Sequence, residues 1–332
     1  MGQWDRCNIR WGRSSSIADK AKVERRSETV PGGYIMPQFT PVSHQRKGLV
    51  SYPLKLNSTP TPLHTNPFHC TMITLFDIPC TLSVSWSANA WKTRFTLNYK
   101  RIPYKTEWVE YPDIEAVLKK HNIGPTGTKG DETPYYSLPA ILDVDDATGE
   151  IKAALADSFH IAAYLDKAYP DTPRVLPEDK EGVEEQKAFA DGILWDIMPL
   201  LTIMFKAALP VLNEGSREYF SKARAMNLFP VYGVHRLEDI PYGEEERRVL
   251  WKDSEVCFGK LEEKLKVAKT DGEGVWFKGD RITFADFVIG GVLIWVRTIL
   301  GESSEEWGRI SAWNGGRWGR FLEGLKEYDT AV

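Results

Sequence analysis

Alternation of apolar and polar positions gives way to helical spacing early in the recognisable part of the chain. Residues 73–78 alternate as a β-strand does. Asn89 fits the preference for a helix N-cap, and Trp91, Phe95 and Tyr99 then recur at every fourth position, the spacing of one helix face. The pattern therefore predicts a strand, a polar loop over residues 79–88, and a helix.

The next stretch repeats this alternation and ends in a hairpin. Residues 105–111 predict a second strand, and Pro112 opens a helix that runs to about His121. A Gly-, Thr- and Pro-rich stretch predicts a long loop at 124–136. Strands at 140–144 and 150–154 and a helix at 158–168 complete a βαβαββα order.

From residue 183 onward the spacing is helical throughout. Residues 169–182 contain three prolines and predict a linker. The helices predicted beyond it are Val183–Ala208 with a kink at Pro199, Gly215–Asn227, Gly243–Ala268, Thr283–Leu300 and shorter pieces to Tyr328. Thr283 and Asp286 have capping-box spacing, with Ile282 as the hydrophobic staple, so we assign this pair to folding. The chain is predicted to be α+β, with domains at 72–168 and 183–330.

Residues 1–71 have a different composition from the rest. They hold ten basic and four acidic residues, a net charge of +6, against −4 for the whole chain, so the remainder carries −10. Seven of the 20 prolines also lie here. Such a segment cannot bury enough apolar surface to offset its ordering entropy, so we expect a disordered leader. A mitochondrial presequence is an alternative, although acidic residues interrupt it. The simpler alternative is a leader appended to the domain, because Met72 directly precedes the first predicted strand.

Charge, cysteines and apolar runs limit the partners and the compartment. The small net charge gives no indication of a nucleic-acid partner. Four cysteines without a CxxC pair favour a reducing, cytoplasmic location. The longest apolar run, residues 287–296, is too short to span a membrane and predicts a buried helix. The histidines lack ligand spacing, so we expect no metal site, and the acidic turn at 143–146 gives only a weak indication of calcium.

Two short motifs suggest a binding site for a small acidic peptide. Leu138-Pro139 opens a strand, where a proline is tolerated and a cis bond is accessible. Such a bond would turn the Leu138 N–H and C=O outward to pair with an extended peptide. Asp157 and Ser158 stand where a helix begins, and the free amides of a helix N-terminus attract a carboxylate.

The order of these motifs resembles the glutathione site of the glutathione transferase superfamily. The resemblance is carried by residues 136–141, YSLPAI, and by residues 156–165, ADSFHIAAYL. It implies a thioredoxin-like domain followed by an all-α domain, glutathione as co-substrate, and a homodimer. It also implies that Leu138 and Pro139 hold the cysteinyl part of glutathione, whereas Asp157 and Ser158 hold its γ-glutamyl end.

The first predicted helix should supply the donor that stabilises the glutathione thiolate. A helix N-terminus or a hydrogen-bond donor lowers a thiol pKa, and Ser85, Ser87 and Asn89 are the candidates. Residues 86–94, WSANAWKTR, together with 109–114, VEYPDI, are similar to a fungal-specific class of transferases related to bacterial β-etherases. Compared with that class, the loop is one residue short and Ala88 stands in place of a proline.

We choose Ser87 as the leading thiolate donor and Asn89 as the next. Trp86 is expected to border the glutathione and second-substrate pockets, whereas the spacing of Trp91 is more typical of core. Cys80 offers an alternative, a cysteine-type reductase working by thiol exchange, but no helix amides lie beside it in sequence.

The leading functional hypothesis is a transferase that activates glutathione for attack on hydrophobic, aromatic electrophiles, and aryl ethers are among the candidate substrates. The alternatives are a ligandin that holds aromatic compounds with little turnover, and a transferase-shaped scaffold without chemistry.

Overall fold

The computed structural model describes residues 71–130, 132–270 and 272–331. The expected leader lies outside this part of the chain, apart from Thr71, which begins the first strand.

The N-terminal half forms a four-stranded sheet with helices packed against it. Its strands are β1 (Thr71–Asp77), β2 (Tyr104–Trp108), β5 (Ala140–Asp145) and β6 (Ile151–Ala156), in the spatial order β2-β1-β5-β6. Strand β1 is parallel to β2 and antiparallel to β5, which is antiparallel to β6. The helices are α1 (Ala88–Tyr99), α2 (Ile114–Lys120) and α3 (Ser158–Ala168). This confirms the βαβαββα order.

Two predictions in this half were wrong in detail. The stretch at 124–136 is not an open loop, because β3 (Gly127–Thr128) and β4 (Pro134–Tyr135) pair within it as a short antiparallel hairpin. Strand β2 ends at Trp108 rather than Tyr111, which instead begins a 3-10 turn with Pro112 in its first positions. Proline favours the start of a helical turn and cannot donate to a strand ladder.

The C-terminal half is helical, as predicted. Its helices are α4 (Lys180–Asp196), α5 (Met198–Ala208), α6 (Glu214–Tyr232), α7 (Glu244–Ala268), α8 (Phe284–Leu300) and α9 (Glu305–Gly324), the last interrupted by non-helical backbone at Trp313–Gly316. The helix expected over 183–208 is two helices separated at Ile197, next to the predicted kink at Pro199. Helix α6 continues beyond its predicted end at Asn227. No single described helix is long and apolar enough to cross a membrane. Among the described helices, one pair, α4 and Met198–Val211, could do so by length and composition only, and it is bent by 71°.

Helix α8 is the buried centre of this half. The predicted capping box is confirmed: Thr283 is the N-cap, and the Asp286 carboxylate accepts from its N–H at 2.7 Å. The same carboxylate accepts from the Phe277 N–H at 2.6 Å, which fixes the preceding loop. Burial raises the pKa of Asp286 to about 7, although these hydrogen bonds act in the opposite direction.

Helix α8 also joins the two halves, because α1 packs directly on it. Phe95 of α1 stacks on Phe287 with 5.7 Å between ring centroids. At Gly291 the backbones come so close that an added Cβ would lie 2.5 Å from the Ala88 carbonyl oxygen. A glycine at this position therefore allows the first turn of α1 to rest on α8.

A second constraint on α1 comes from a buried ion pair at its centre. Arg94 and Asp77 are fully buried, and the guanidinium donates to the Asp77 Oδ2 atom at 3.0 Å. Arg94 also donates to the hydroxyls of Ser85 at 2.7 Å and Thr106 at 2.9 Å. The pair thus connects the end of β1, the following loop, α1 and β2.

We predict that Gly291→Ala destabilises the protein by about 1–3 kcal/mol, because the new methyl group meets backbone that cannot move aside. Urea unfolding gives the measurement. Gly192→Ala is the matched control: no atom lies within 4 Å of its added Cβ, so this helical substitution should stabilise the protein by up to about 1 kcal/mol. Equal stabilities of the two variants would contradict the close approach at Gly291.

We predict that Arg94→Met costs about 3–5 kcal/mol, because it leaves the Asp77 carboxylate buried without its cation. Adding Asp77→Asn to this variant should recover part of the loss, since the charge is then removed with its partner. Arg101→Met is the control: its ion pair with Glu327 is exposed and should contribute no more than about 1 kcal/mol. Thermal unfolding of the four proteins separates these cases.

Candidate functional site

The register of the sheet brings the predicted site segments to one edge. Phe76 lies opposite Ala140, and Ala140 lies opposite Ala156. Neighbouring strands are about 4.8 Å apart. The loop after β1, the Leu138-Pro139 segment and the start of α3 therefore stand side by side, as Asp157 shows by donating its N–H to the Pro139 carbonyl oxygen at 3.2 Å.

The loop after β1 is anchored by two buried tryptophans. The Trp86 indole N–H donates to the Ile78 carbonyl oxygen, and that of Trp91 donates to the Ser85 carbonyl oxygen, each at 3.0 Å. Trp86 also packs edge-on against Phe220 of α6 at 6.4 Å between centroids. It therefore lies between the loop and the helical domain, and Trp91 belongs to the core.

The first turn of α1 starts earlier than the sequence pattern indicated. Ser87, not Asn89, is the N-cap, and its hydroxyl oxygen accepts from the Ala90 N–H at 3.5 Å. Within the described residues, no acceptor takes the Ser87 hydroxyl proton or the amide hydrogens of Ala88 and Asn89. This helix end therefore offers a hydroxyl and two amides to an anion.

The structure distinguishes the three serine and asparagine side chains that the sequence analysis named as candidate thiolate donors. The Ser85 hydroxyl donates to the Asp77 Oδ2 atom at 2.7 Å while it accepts from Arg94, so its proton is already engaged. Ser87 is mostly buried and Asn89 is half-buried at the helix start. The Cys80 thiol is buried and donates to the Val84 carbonyl oxygen at 3.5 Å within its own loop.

The second segment offers backbone groups to an extended ligand. The Leu138-Pro139 peptide bond is cis, which confirms that prediction. Within the described chain, neither the Leu138 N–H nor its C=O has a hydrogen-bond partner. The ladder of β5 begins only at Ala140, so Leu138 presents one donor and one acceptor beyond its end.

The third segment is the N-terminus of α3, where Asp157 is the cap. Its Oδ1 atom accepts from the Phe159 and His160 amides at 3.0 Å each, and its backbone carbonyl accepts from Ile161. Of the first four amides of α3, only that of Ser158 has no acceptor in the described structure. One backbone donor is thus left for an anion.

A lysine that the sequence analysis did not single out also belongs to this region. Lys92 of α1 is 8% exposed, and burial lowers its pKa to about 8, against the attraction of Asp157 and Asp191. The sequence indicates this lysine only as a cation in the same helix as the predicted thiolate donor. The carboxylates that raise its pKa, Asp157 at the start of α3 and Asp191 of α4, are distant in sequence.

Aromatic side chains pack together where α6 meets the loop after β1. Tyr111 stacks on Tyr219 and lies 5.4 Å from Phe220 between centroids. The Arg224 guanidinium sits over Tyr111, Phe205 and Phe220 at 5.4–5.8 Å. Tyr111, Phe205 and Phe220 are buried, so this cluster is packed core between the loop and α6, and Tyr219 is its exposed member at 39%.

No group of three or more His, Cys, Asp or Glu side chains suited to a metal occurs in residues 71–130, 132–270 and 272–331. The acidic turn considered for calcium is engaged within the protein. Asp143 accepts from the hydroxyls of Tyr164 and Tyr169, and Asp145 accepts from the Ala147 and Thr148 amides.

Comparison with known proteins agrees with this geometry. Residues 86–168 match the family model described as glutathione S-transferase, N-terminal domain, and residues 186–328 match the one for the C-terminal domain. The glutathione S-transferase-like protein ustS of Aspergillus flavus is 29% identical over 242 residues, covering 71% of this chain and 82% of ustS.

Solved structures of fungal proteins are similar along almost their whole length. The glutathione S-transferase CsGST63524 of Ceriporiopsis subvermispora, solved in complex with glutathione, is 39% identical with a TM-score of 0.68, covering 78% of this chain and 98% of that one. Glutathione transferase GSTFuA3 of Phanerochaete chrysosporium is 35% identical with a TM-score of 0.68 and the same coverage. The expected two-domain fold is confirmed, and the chain belongs to the glutathione S-transferase family.

Proposed function

We propose that this protein is a glutathione transferase in which the Ser87 hydroxyl stabilises the thiolate of bound glutathione for attack on hydrophobic, aromatic electrophiles. The observation that carries the proposal is the unengaged Ser87 hydroxyl proton at the start of α1, on the same sheet edge as Leu138 and Ser158. The family relationship and the glutathione complex of the similar Ceriporiopsis enzyme support glutathione as the co-substrate.

Glutathione would lie across this edge as a short extended peptide. The cysteinyl residue would exchange hydrogen bonds with the Leu138 N–H and C=O, as an added antiparallel strand does. Its γ-glutamyl end would reach Asp157 and Ser158 at the N-terminus of α3. The cysteinyl sulfur would then point towards the first turn of α1.

The thiol must lose its proton before it reacts. A solvent molecule or a carboxylate of glutathione accepts that proton, because a neutral hydroxyl donor stabilises the anion without removing a proton itself. The Ser87 hydroxyl and the Ala88 and Asn89 amides then stabilise the sulfur anion, and the Asn89 side chain is the second candidate donor. The thiolate uses an electron pair to form a C–S bond with the electrophilic carbon, and the leaving group departs with the pair from the broken bond.

The second substrate would bind between the loop and the helical domain. Trp86 and Tyr111 each pack on Phe220 at this boundary, and the exposed Tyr219 ring stacked on Tyr111 is the aromatic surface that a substrate could meet. Aryl ethers are candidate substrates, because displacement at the ether carbon would release a phenolate. A cytoplasmic homodimer is part of the proposal by family relationship.

We predict that Ser87→Ala raises the pKa of the bound glutathione thiol by about 1–2 units. A hydrogen bond to a charged group contributes about 1.5–3 kcal/mol, and one pKa unit corresponds to about 1.4 kcal/mol. Turnover of a chromogenic aromatic electrophile at neutral pH should fall about 10- to 100-fold. The ultraviolet absorbance of the thiolate, followed against pH in the complex, measures the pKa directly.

Cys80→Ala is the matched control in the same loop and should leave the thiol pKa unchanged. Asn89→Ala should raise it less than Ser87→Ala. An equal loss of turnover in Cys80→Ala would favour the reductase alternative. Glutathione binding without turnover would favour the ligandin, and no heat of binding with millimolar glutathione in calorimetry would favour the scaffold.

A further inference from the structure

The N-terminus of α6 is held by a carboxylate from the other domain. Glu110 follows β2; its Oε1 atom accepts from the Asn213 side-chain amide at 2.6 Å, and its Oε2 atom accepts from the Ser216 hydroxyl. Ser216 is fully buried and itself accepts from the Tyr111 N–H at 3.0 Å. Both oxygens of one carboxylate are therefore engaged at the start of a helix that belongs to the helical domain.

These contacts replace a cap that α6 does not make for itself. Asn213 is the N-cap residue, but its side chain makes no capping hydrogen bond to the helix. Ser216 is the third helical residue, so Glu110 binds side chains at the two positions that form a capping box within one chain. A carboxylate is also favoured beside a helix N-terminus by the helix dipole. We call Glu110, Asn213 and Ser216 the α6 anchor.

A second contact joins the same segment to the loop after β1. The N–H and the hydroxyl of Thr81 donate to the Val211 carbonyl oxygen at 2.8 and 2.9 Å. Val211 ends a short 3-10 turn, Leu209–Val211, just before α6. Residues 211–216 are thus bonded to the chain that follows β1 and to the chain that follows β2, its parallel neighbour.

The α6 anchor lies one helical turn before the exposed aromatic residue at the domain boundary. Tyr219 is three positions after Ser216, so the two side chains are neighbours on the surface of α6. Tyr219 is 39% exposed and stacks on Tyr111, which follows Glu110 in the chain, with 5.9 Å between ring centroids. The position of the Tyr219 ring therefore depends on the anchor from both sides, through its own helix and through Tyr111.

The same turn of α6 reaches the loop that carries the proposed thiolate donor. Phe220 packs edge-on against Trp86 at 6.4 Å between centroids, and Trp86 directly precedes Ser87. The contacts thus connect the start of α6 with the start of α1.

We propose that Glu110 is a positioning residue for the second substrate, because through Ser216 it holds Tyr219 where the aromatic group of the electrophile binds. This inference rests on the proposed function, since it places that group beside the glutathione sulfur. Leu138 and Ser158, the proposed glutathione contacts, belong to other segments, so the effect of Glu110 is confined to the aromatic group. The proposal also gives a role to residues 109–114, VEYPDI, one of the two stretches that resemble the fungal class.

The first test compares S-methylglutathione with S-benzylglutathione, which differ by one phenyl group, in calorimetric titrations. The wild-type protein should bind the benzyl conjugate about 10-fold more tightly, because the phenyl group loses contact with water. Glu110→Gln keeps the size of the side chain but turns an NH2 group towards one of the two donors. It should lower the affinity for the benzyl conjugate about 5- to 10-fold and that for the methyl conjugate less than about twofold.

Two further variants separate positioning from a general effect. Glu107→Gln changes an exposed glutamate of β2 and should leave both affinities unchanged. Tyr219→Ala should remove the preference for the benzyl conjugate. Adding Glu110→Gln to Tyr219→Ala should then change the affinity for the benzyl conjugate less than about twofold, because Glu110 acts through Tyr219. A full second loss in the double variant would contradict the proposal.

Hydrogen exchange of the free protein tests the anchor without any ligand. In Glu110→Gln the amides of residues 214–220 should exchange about 10-fold faster, whereas those of residues 158–165 should not change. Unchanged exchange over residues 214–220 would overturn the proposal, as would an equal loss of affinity for both conjugates. Wild-type protein that binds the two conjugates equally would also overturn it, with the glutathione site left intact. Wild-type protein that binds neither conjugate would instead refute the proposed function itself.

Discussion

The buried ion pair between Asp77 and Arg94 is the interaction on which the site depends. A charged pair with no solvent contact is stable only when every remaining donor and acceptor is satisfied, and here Ser85, Thr106 and the Ile78 amide complete it. These groups belong to β1, the following loop and β2. The loop that leads to Ser87 is therefore held both by this ion pair and by the two tryptophan N–H groups.

Helix α1 transmits that constraint to both halves of the molecule. Its first turn rests on α8 at Gly291, its middle carries Arg94, and Phe95 stacks on Phe287. A shift of α8 would consequently move the N-terminus of α1, where Ser87 is the proposed thiolate donor. The helical domain supplies neither Leu138 nor Ser158, yet through this packing it helps to position the start of α1 in the proposed glutathione site.

Local chemistry made much of the fold predictable. The period of apolar residues fixed the element order, the Thr283–Asp286 spacing predicted a cap, and Leu138-Pro139 predicted a cis bond at the start of a strand. The prediction that Asn89 is the N-cap was wrong, because Ser87 is placed by contacts between residues 8 to 17 positions apart. The β3–β4 hairpin was missed because strands of two residues have no period to detect.

The two buried lysines near α1 show why site residues are harder to predict than elements. Lys92 and Lys100 have the same side chain and similar burial, and the sequence gives no reason to treat them differently. Only the fold reveals that Lys100 meets Asp166, whereas the Lys92 ammonium meets no acceptor among the described residues. A satisfied buried charge has its desolvation cost offset by its partner and needs no ligand. An unsatisfied one lowers the stability of the folded protein, because the charge loses solvation without gaining a partner.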